Sequence, residues 1–125
     1  MTTTARWIAT VACAALIATA FAPLTTAHAT LEKSSPAAGS TLTAPPPHVQ
    51  LRFNEKVDLA VSMIGLSGPA GKVAIGKPSA VEPKTLMALV TGNMVDGRHT
   101  VAWQTAGDDG HVEKGTYTFV LKRGR

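Results

Sequence analysis

Residues 98–104 read RHTVAWQ, a run in which large side chains alternate with small or polar ones. His99, Val101 and Trp103 share one parity of this run. A period of two predicts a β-strand with one face in the core and the other in solvent. The same alternation recurs at 48–54, HVQLRFN, and at 116–122, TYTFVLK. Trp103 is the expected aromatic anchor of the core that these strands enclose.

Shorter runs between glycine, proline and aspartate positions predict four weaker strands. They lie at 30–34, 59–66, 72–75 and 85–90. Turns are expected at 68–71 and 96–97, and the prolines within 44–47 predict an extended connector. About seven short strands without helical periodicity indicate an all-β Greek-key β-sandwich.

The first 27 residues have the pattern of a secretory signal peptide. Arg6 precedes an almost wholly apolar run at 7–22, which is shorter than the roughly 20 residues that a membrane-spanning helix needs. Small residues follow, as at a signal-peptidase site. Cleavage after Ala27 would make His28 the first residue, whereas cleavage after Ala29 would remove it. The composition leaves both cleavage points open.

Composition excludes several classes of function for the remaining domain, 28–125. The single cysteine, Cys13, falls in the leader, so neither a disulfide framework nor a cysteine-based zinc site is expected. The charge balance of the whole chain is only mildly basic, with 12 Lys and Arg against 8 Asp and Glu, and aromatic residues are 5% of it. Binding to nucleic acid is therefore not expected. We expect a monomer without stable membrane insertion after cleavage.

Candidate chemistry concentrates in the loop between the last two long strands. No convincing nucleophile triad or phosphate-binding loop is present, so an enzyme is not expected. Asp109, Gly110 and His111 form an Asp-x-His triplet that can direct a carboxylate and an imidazole toward one ion. If His28 is the N-terminal residue, its amine and ring add two nitrogens. Three nitrogens and one oxygen favour Cu(II), with zinc as the competitor.

The chain from His28 onward resembles the CopC family of periplasmic copper-binding, copper-resistance proteins. The resemblance rests on five stretches in order, which are SSPAAGS (34–40), LRFNE (51–55), GRHTVAW (97–103), DDGH (108–111) and GTYTFV (115–120). It implies a cupredoxin-like or immunoglobulin-like Greek-key sandwich or barrel. It also implies one Cu(II) per chain, held by His28, Asp109 and His111.

The resemblance further assigns roles around this site. Glu55 would orient the ligands from outside the coordination sphere or occasionally bind the ion itself, or else be a solvated carboxylate at a strand end. Asp108 is the alternative to Asp109 as the carboxylate ligand. His99 is expected to be a packed, hydrogen-bonded histidine, and His48 an exposed loop residue.

Some members of the family carry a methionine-rich Cu(I) site, which this sequence is expected to lack. The matching stretch, 63–71, contains one methionine, and Cu(I) needs several soft ligands. Met63, Met87 and Met94 are interpreted as core residues.

The resemblance thus implies a non-catalytic protein that buffers or carries copper in the periplasm. Because the sequence stops at Arg125 without a transmembrane segment, we expect a separate CopD-like inner-membrane transporter as partner. Two alternatives stay open. One is a metal-free β-sandwich interaction module, which would follow from cleavage after Ala29. The other is a copper monooxygenase that uses an N-terminal histidine.

Overall fold

The computed structural model describes residues 28–124, so the predicted signal peptide lies outside the described residues. Within this range the chain forms nine strands and one short 3-10 helix. The strands are β1 (Leu31–Ser35), β2 (Thr41–Leu42), β3 (His48–Phe53), β4 (Met63–Gly68), β5 (Gly71–Val73), β6 (Ser79–Glu82), β7 (Thr85–Leu89), β8 (Gly97–Ala106) and β9 (Val112–Leu121). The 3-10 helix is Leu59–Val61. None of the described helical residues forms a segment long and apolar enough to cross a bilayer.

The strands form two sheets that face each other. One sheet has the order β1-β3-β7-β6, and the other has the order β2-β9-β8-β4-β5. Neighbouring strands run antiparallel, except that β2 pairs in parallel with β9. The chain changes sheet five times, between β1 and β2, β2 and β3, β3 and β4, β5 and β6, and β7 and β8. This order is that of a Greek-key sandwich, which confirms the predicted fold class.

The core lies between the two sheets and follows the alternation of the long strands. The buried apolar side chains include Val49, Leu51, Phe53, Leu86 and Ala88 from the first sheet and Ile64, Leu66, Val101, Tyr117, Phe119 and Leu121 from the second. Trp103 is partly buried and packs edge-on against Phe53, with ring centroids 5.1 Å apart. Phe53 and Phe119, by contrast, are fully buried.

His99 is fully buried in this core. Its ring stacks on Phe119, with centroids 5.5 Å apart, and its Nδ1 lies 3.1 Å from the carbonyl oxygen of Gly97. The prediction of a packed, hydrogen-bonded histidine is confirmed. A carbonyl oxygen accepts hydrogen bonds only, so Nδ1 carries the proton in this contact.

The β8–β9 hairpin places the candidate site. Its two strands have ten residues each and pair continuously, from Gly97 opposite Leu121 to Ala106 opposite Val112. Such a ladder fixes which face each residue presents. Residues 107–111 connect the two strands at one end of the sandwich, close to the segment that precedes β1.

Three predictions about the strands need correction. The strands β2 and β6 were not expected. The first has only two residues, and all four residues of β6 are exposed at a sheet edge between Pro78 and Pro83, so neither shows alternation. The predicted strand 59–66 is in part a 3-10 helix, because the side chain of Asp58 accepts a hydrogen bond from the backbone N–H of Ala60 at 3.0 Å.

Two predictions about single residues were also wrong. His48 is not an exposed loop residue, since it begins β3 opposite Leu89 and is partly buried. Met63 is not a core residue, because the parity of β4 directs its side chain outward and leaves it 61% exposed. Met94 is buried, as expected, and Met87 is partly buried.

Replacement of Phe119 by alanine should destabilise the domain by about 3–5 kcal/mol, because it empties a fully buried ring site and removes the partner of His99. Denaturant unfolding of the metal-free protein measures this loss. The control is Leu89→Ala, at a side chain that is 55% exposed, for which a change of about 0.5 kcal/mol or less is expected. Equal losses for the two variants would contradict the described core.

Candidate metal centre

The loop at the end of the β8–β9 hairpin is shaped by two local hydrogen bonds. The backbone N–H of Gly110 donates to the carbonyl of Gly107 at 3.1 Å. The carboxylate of Asp109 accepts from the backbone N–H of His111 at 3.0 Å. Gly110 adopts a φ of 75°, a left-handed conformation that glycine tolerates without strain. The turn therefore brings the side chains on either side of Gly110 together.

Asp109 and His111 are in direct contact. Oδ2 of Asp109 lies 2.9 Å from Nδ1 of His111, so the carboxylate binds the backbone and the ring of the same residue. The carboxylate accepts, which places the proton of the imidazole on Nδ1 and leaves Nε2 available as a lone-pair donor. The side chain of His111 is 66% exposed.

His28 reaches this hairpin from the other sheet, because it lies just before β1. Its ring centroid is 5.8 Å from that of His111. One potential ligand atom from each of His28, Asp109 and His111 falls within 4.8 Å of the other two, and all three residues are exposed. Ligand atoms about 2 Å from one ion are up to about 4 Å apart, so modest side-chain rotation would let all three reach it. The structure thus groups the three residues that the sequence predicted as ligands.

A fourth residue, Glu113, was missed from the sequence. Its Oε1 lies 2.8 Å from Nδ1 of His28. Glu113 pairs with Thr105 in the β8–β9 ladder and shares its parity with His111. The signal was present in the sequence as an acidic residue two positions after His111, and it was overlooked because the expected motif ends at the histidine.

Glu55 and Asp108 lie beside the cluster of His28, Asp109 and His111 but are not members of it. Glu55 contacts Gly107, where a Cβ would collide with the carboxylate. Its Oε1 is buried and finds no hydrogen-bond donor within residues 28–124. Asp108 lines a cleft with Lys56 and Asp58. The geometry groups Asp109 rather than Asp108 with the two histidines, and the ligand roles stay predictions.

The contact between Asp109 and His111 shifts the pKa of both side chains. The side-chain hydrogen bond from His111, helped by its backbone N–H, lowers the pKa of Asp109 below the ordinary 3.8. The same side-chain hydrogen bond, with the carboxylate charge, raises the pKa of His111 above 6.5. Both groups are exposed to water, so the pair adds little to stability. Because the pKa of His111 is raised, protons compete with a metal for this ring at a higher pH than they do at an ordinary histidine.

The lowered pKa of Asp109 and the raised pKa of His111 determine how the contribution of this ion pair to stability depends on pH. The ion pair requires a charged Asp109 and a protonated His111. Its small contribution to folding is full between about pH 3.8 and 6.5. The contribution is lost as the pH rises through the raised pKa of His111 and as it falls through the lowered pKa of Asp109.

The CopC domain model matches residues 31–122. This range includes Glu55, Asp109 and His111 and begins just after His28. Protein YobA from Escherichia coli K12 is 34% identical over 103 residues, which cover 80% of this chain and 83% of YobA. The YobA protein of Shigella flexneri gives the same values.

Two solved structures share the fold. CopC from Methylosinus trichosporium OB3b superposes with a TM-score of 0.69 at 29% identity, covering 78% of this chain and 97% of that one. PcoC from Escherichia coli, described as a methionine-rich copper resistance protein, superposes with a TM-score of 0.69 at 30% identity. The superposition covers 77% of this chain and 100% of the PcoC chain.

Substitution of Asp109 by asparagine should lower the pKa of His111 toward 6.5 in the metal-free protein, because the amide keeps the size of the carboxylate but not its charge. An NMR titration of the His111 ring protons measures the shift. Asp108→Asn is the control, since it removes a neighbouring charge without a hydrogen bond to His111. The pairing would be contradicted by a His111 pKa that is the same in Asp109→Asn and in the wild type.

Proposed function

The chain belongs to the CopC family, and on that premise we propose that it is a periplasmic, non-catalytic protein that binds Cu(II) and buffers or carries copper in copper homeostasis and resistance. The observation that carries this proposal is the convergence of His28, Asp109 and His111, whose potential ligand atoms lie within 4.8 Å of one another. The description of PcoC as a copper resistance protein supports the same direction.

The chemistry of the donors favours Cu(II). Once the leader is removed after Ala27, His28 offers its terminal amine and its ring. The Nδ1 atom closes a six-membered chelate ring with that amine, whereas Nε2 is too far around the imidazole. Together with His111 and Asp109, these atoms make a set of three nitrogens and one oxygen. Cu(II) accepts such a tetragonal N/O set and leads the divalent affinity order.

A single Cu(II) site without a Cu(I) site is part of the proposal. Cu(I) prefers several thioether ligands close together. Here Met63 is exposed on β4, whereas Met87 lies on β7 of the opposite sheet, opposite Gln50. Met94 is buried in the core. These placements support one site per chain, in contrast to a methionine-rich relative.

The exposure of the three ligands supports a carrier rather than an enzyme. An exposed ion at one end of the sandwich is open to an incoming donor group. We propose a CopD-like inner-membrane copper transporter as the recipient. The leader would direct export and then be cleaved. Cleavage after Ala27 would leave His28 as the first residue, whereas cleavage after Ala29 would remove it.

Secreted protein that begins at His28 should bind one equivalent of Cu(II), and a variant with an extra methionine before His28 should bind it on the order of 100-fold more weakly. The extension turns the free amine into an amide, so the chelate from one residue is lost. Mass spectrometry gives the N-terminus, and competition titration gives the affinity. Equal affinity of the extended and unextended proteins would contradict a terminal-histidine site.

Glu55→Gln should weaken Cu(II) binding about tenfold, as is typical when an outer partner of a metal site is changed. The buried Oε1 of Glu55 contacts the hairpin at Gly107, so its charge acts on the ion through that turn. The matched control is Glu82→Gln, an exposed carboxylate on β6. If both variants bind as the wild type does, Glu55 has no role in the site.

A further inference from the structure

Glu113 makes a contact that the family motif does not include. Its Oε1 lies 2.8 Å from Nδ1 of His28, and both side chains are partly shielded, with 34% and 45% of their surfaces exposed. The contact joins β9 of one sheet to the segment before β1 of the other. An exposed ion pair of this kind contributes little to stability, so its position matters more than its strength.

The contacted nitrogen is the one that a terminal-histidine chelate requires. Only Nδ1 of His28 closes a ring with the amine of the same residue, and this is the atom beside Glu113. The hydrogen bond puts a proton between Nδ1 and Oε1. A metal that coordinates Nδ1 must displace that proton, and it would then lie next to the carboxylate of Glu113.

The distance between His28 and Glu113 fits a shared ion. Two ligand atoms at right angles, each about 2.0 Å from one ion, are about 2.8 Å apart. Nδ1 of His28 and Oε1 of Glu113 have this separation, 2.8 Å. Two carboxylates would also neutralise the charge of a divalent ion held by an amine and two neutral imidazoles.

We propose that Glu113 is a further carboxylate ligand of the metal site. In the metal-free protein its Oε1 accepts a hydrogen bond from Nδ1 of His28, and in the metal-bound protein both atoms would bind the ion. This inference rests on the proposed function, because it uses the same ion and the same N-terminus. It extends the Asp-x-His triplet of the hairpin to an Asp-x-His-x-Glu pattern over residues 109–113. Glu113 belongs to β9, whereas Asp109 and His111 lie in the loop that precedes this strand.

The test compares Cu(II) binding in three variants of the protein that begins at His28. Glu113→Gln keeps the shape and removes the charge, Glu113→Asp keeps the charge on a shorter chain, and Glu32→Gln removes an exposed charge from β1. Competition titration gives the affinity, and electron paramagnetic resonance of the loaded protein reports the Cu(II) ligands. Thermal unfolding of the metal-free proteins verifies that each variant is folded.

We expect Glu113→Gln to lose Cu(II) affinity by about tenfold or more and to change the copper hyperfine splitting. Glu113→Asp should be intermediate, and Glu32→Gln should match the wild type. Unchanged affinity and spectrum in Glu113→Gln would make the contact an ordinary surface ion pair. Weaker binding with an unchanged spectrum would place Glu113 outside the ligand set, and either result overturns the inference.

The wild-type measurement separates the two claims. If the wild type binds no equivalent of Cu(II), the proposed function fails and the role of Glu113 fails with it. If the wild type binds copper at the terminal histidine and Glu113→Gln binds it identically, only the role of Glu113 fails.

Discussion

The continuous pairing of β8 with β9 is the constraint on which the rest of the molecule depends. Ten residues of each strand are held in one register, from Gly97 opposite Leu121 to Ala106 opposite Val112. A shift of one residue would turn His99 and Phe119 out of the core and turn Glu113 away from His28. The same ladder therefore sets both the packing between the sheets and the direction of the side chains at the hairpin end.

The candidate metal centre is built from both sheets. Asp109, His111 and Glu113 come from the β8–β9 hairpin, whereas His28 comes from the segment before β1. The hairpin turn is fixed by its own hydrogen bonds and by Gly110. In the metal-free protein, Nδ1 of His28 lies 2.8 Å from Oε1 of Glu113, and its ring centroid lies 5.8 Å from that of His111.

The sequence predicts the structure best where apolar and polar residues alternate. The long strands, the sandwich and the burial of His99 follow from this alternation, because one face of each strand is buried and the other is exposed to solvent. The edge strand β6 is exposed along its length, so its residues carry no such pattern. Met63 was misjudged because its type suggested the core while its place in β4 directs it outward. In the site, the spacing of Asp109 and His111 predicted their contact, but the contact between Glu113 and His28 depends on how two sheets meet, which local spacing does not specify.

The exposure of His28, Asp109 and His111 has a kinetic consequence for an ion held there. A donor atom from another molecule can enter the coordination sphere before any ligand of this chain leaves. Exchange would then follow an associative path with a shared, bridged intermediate, and the sandwich would not need to open. The lifetime of the bound ion would depend on the concentration and chemistry of the acceptor, so tight retention in isolation and rapid delivery are compatible in one rigid fold.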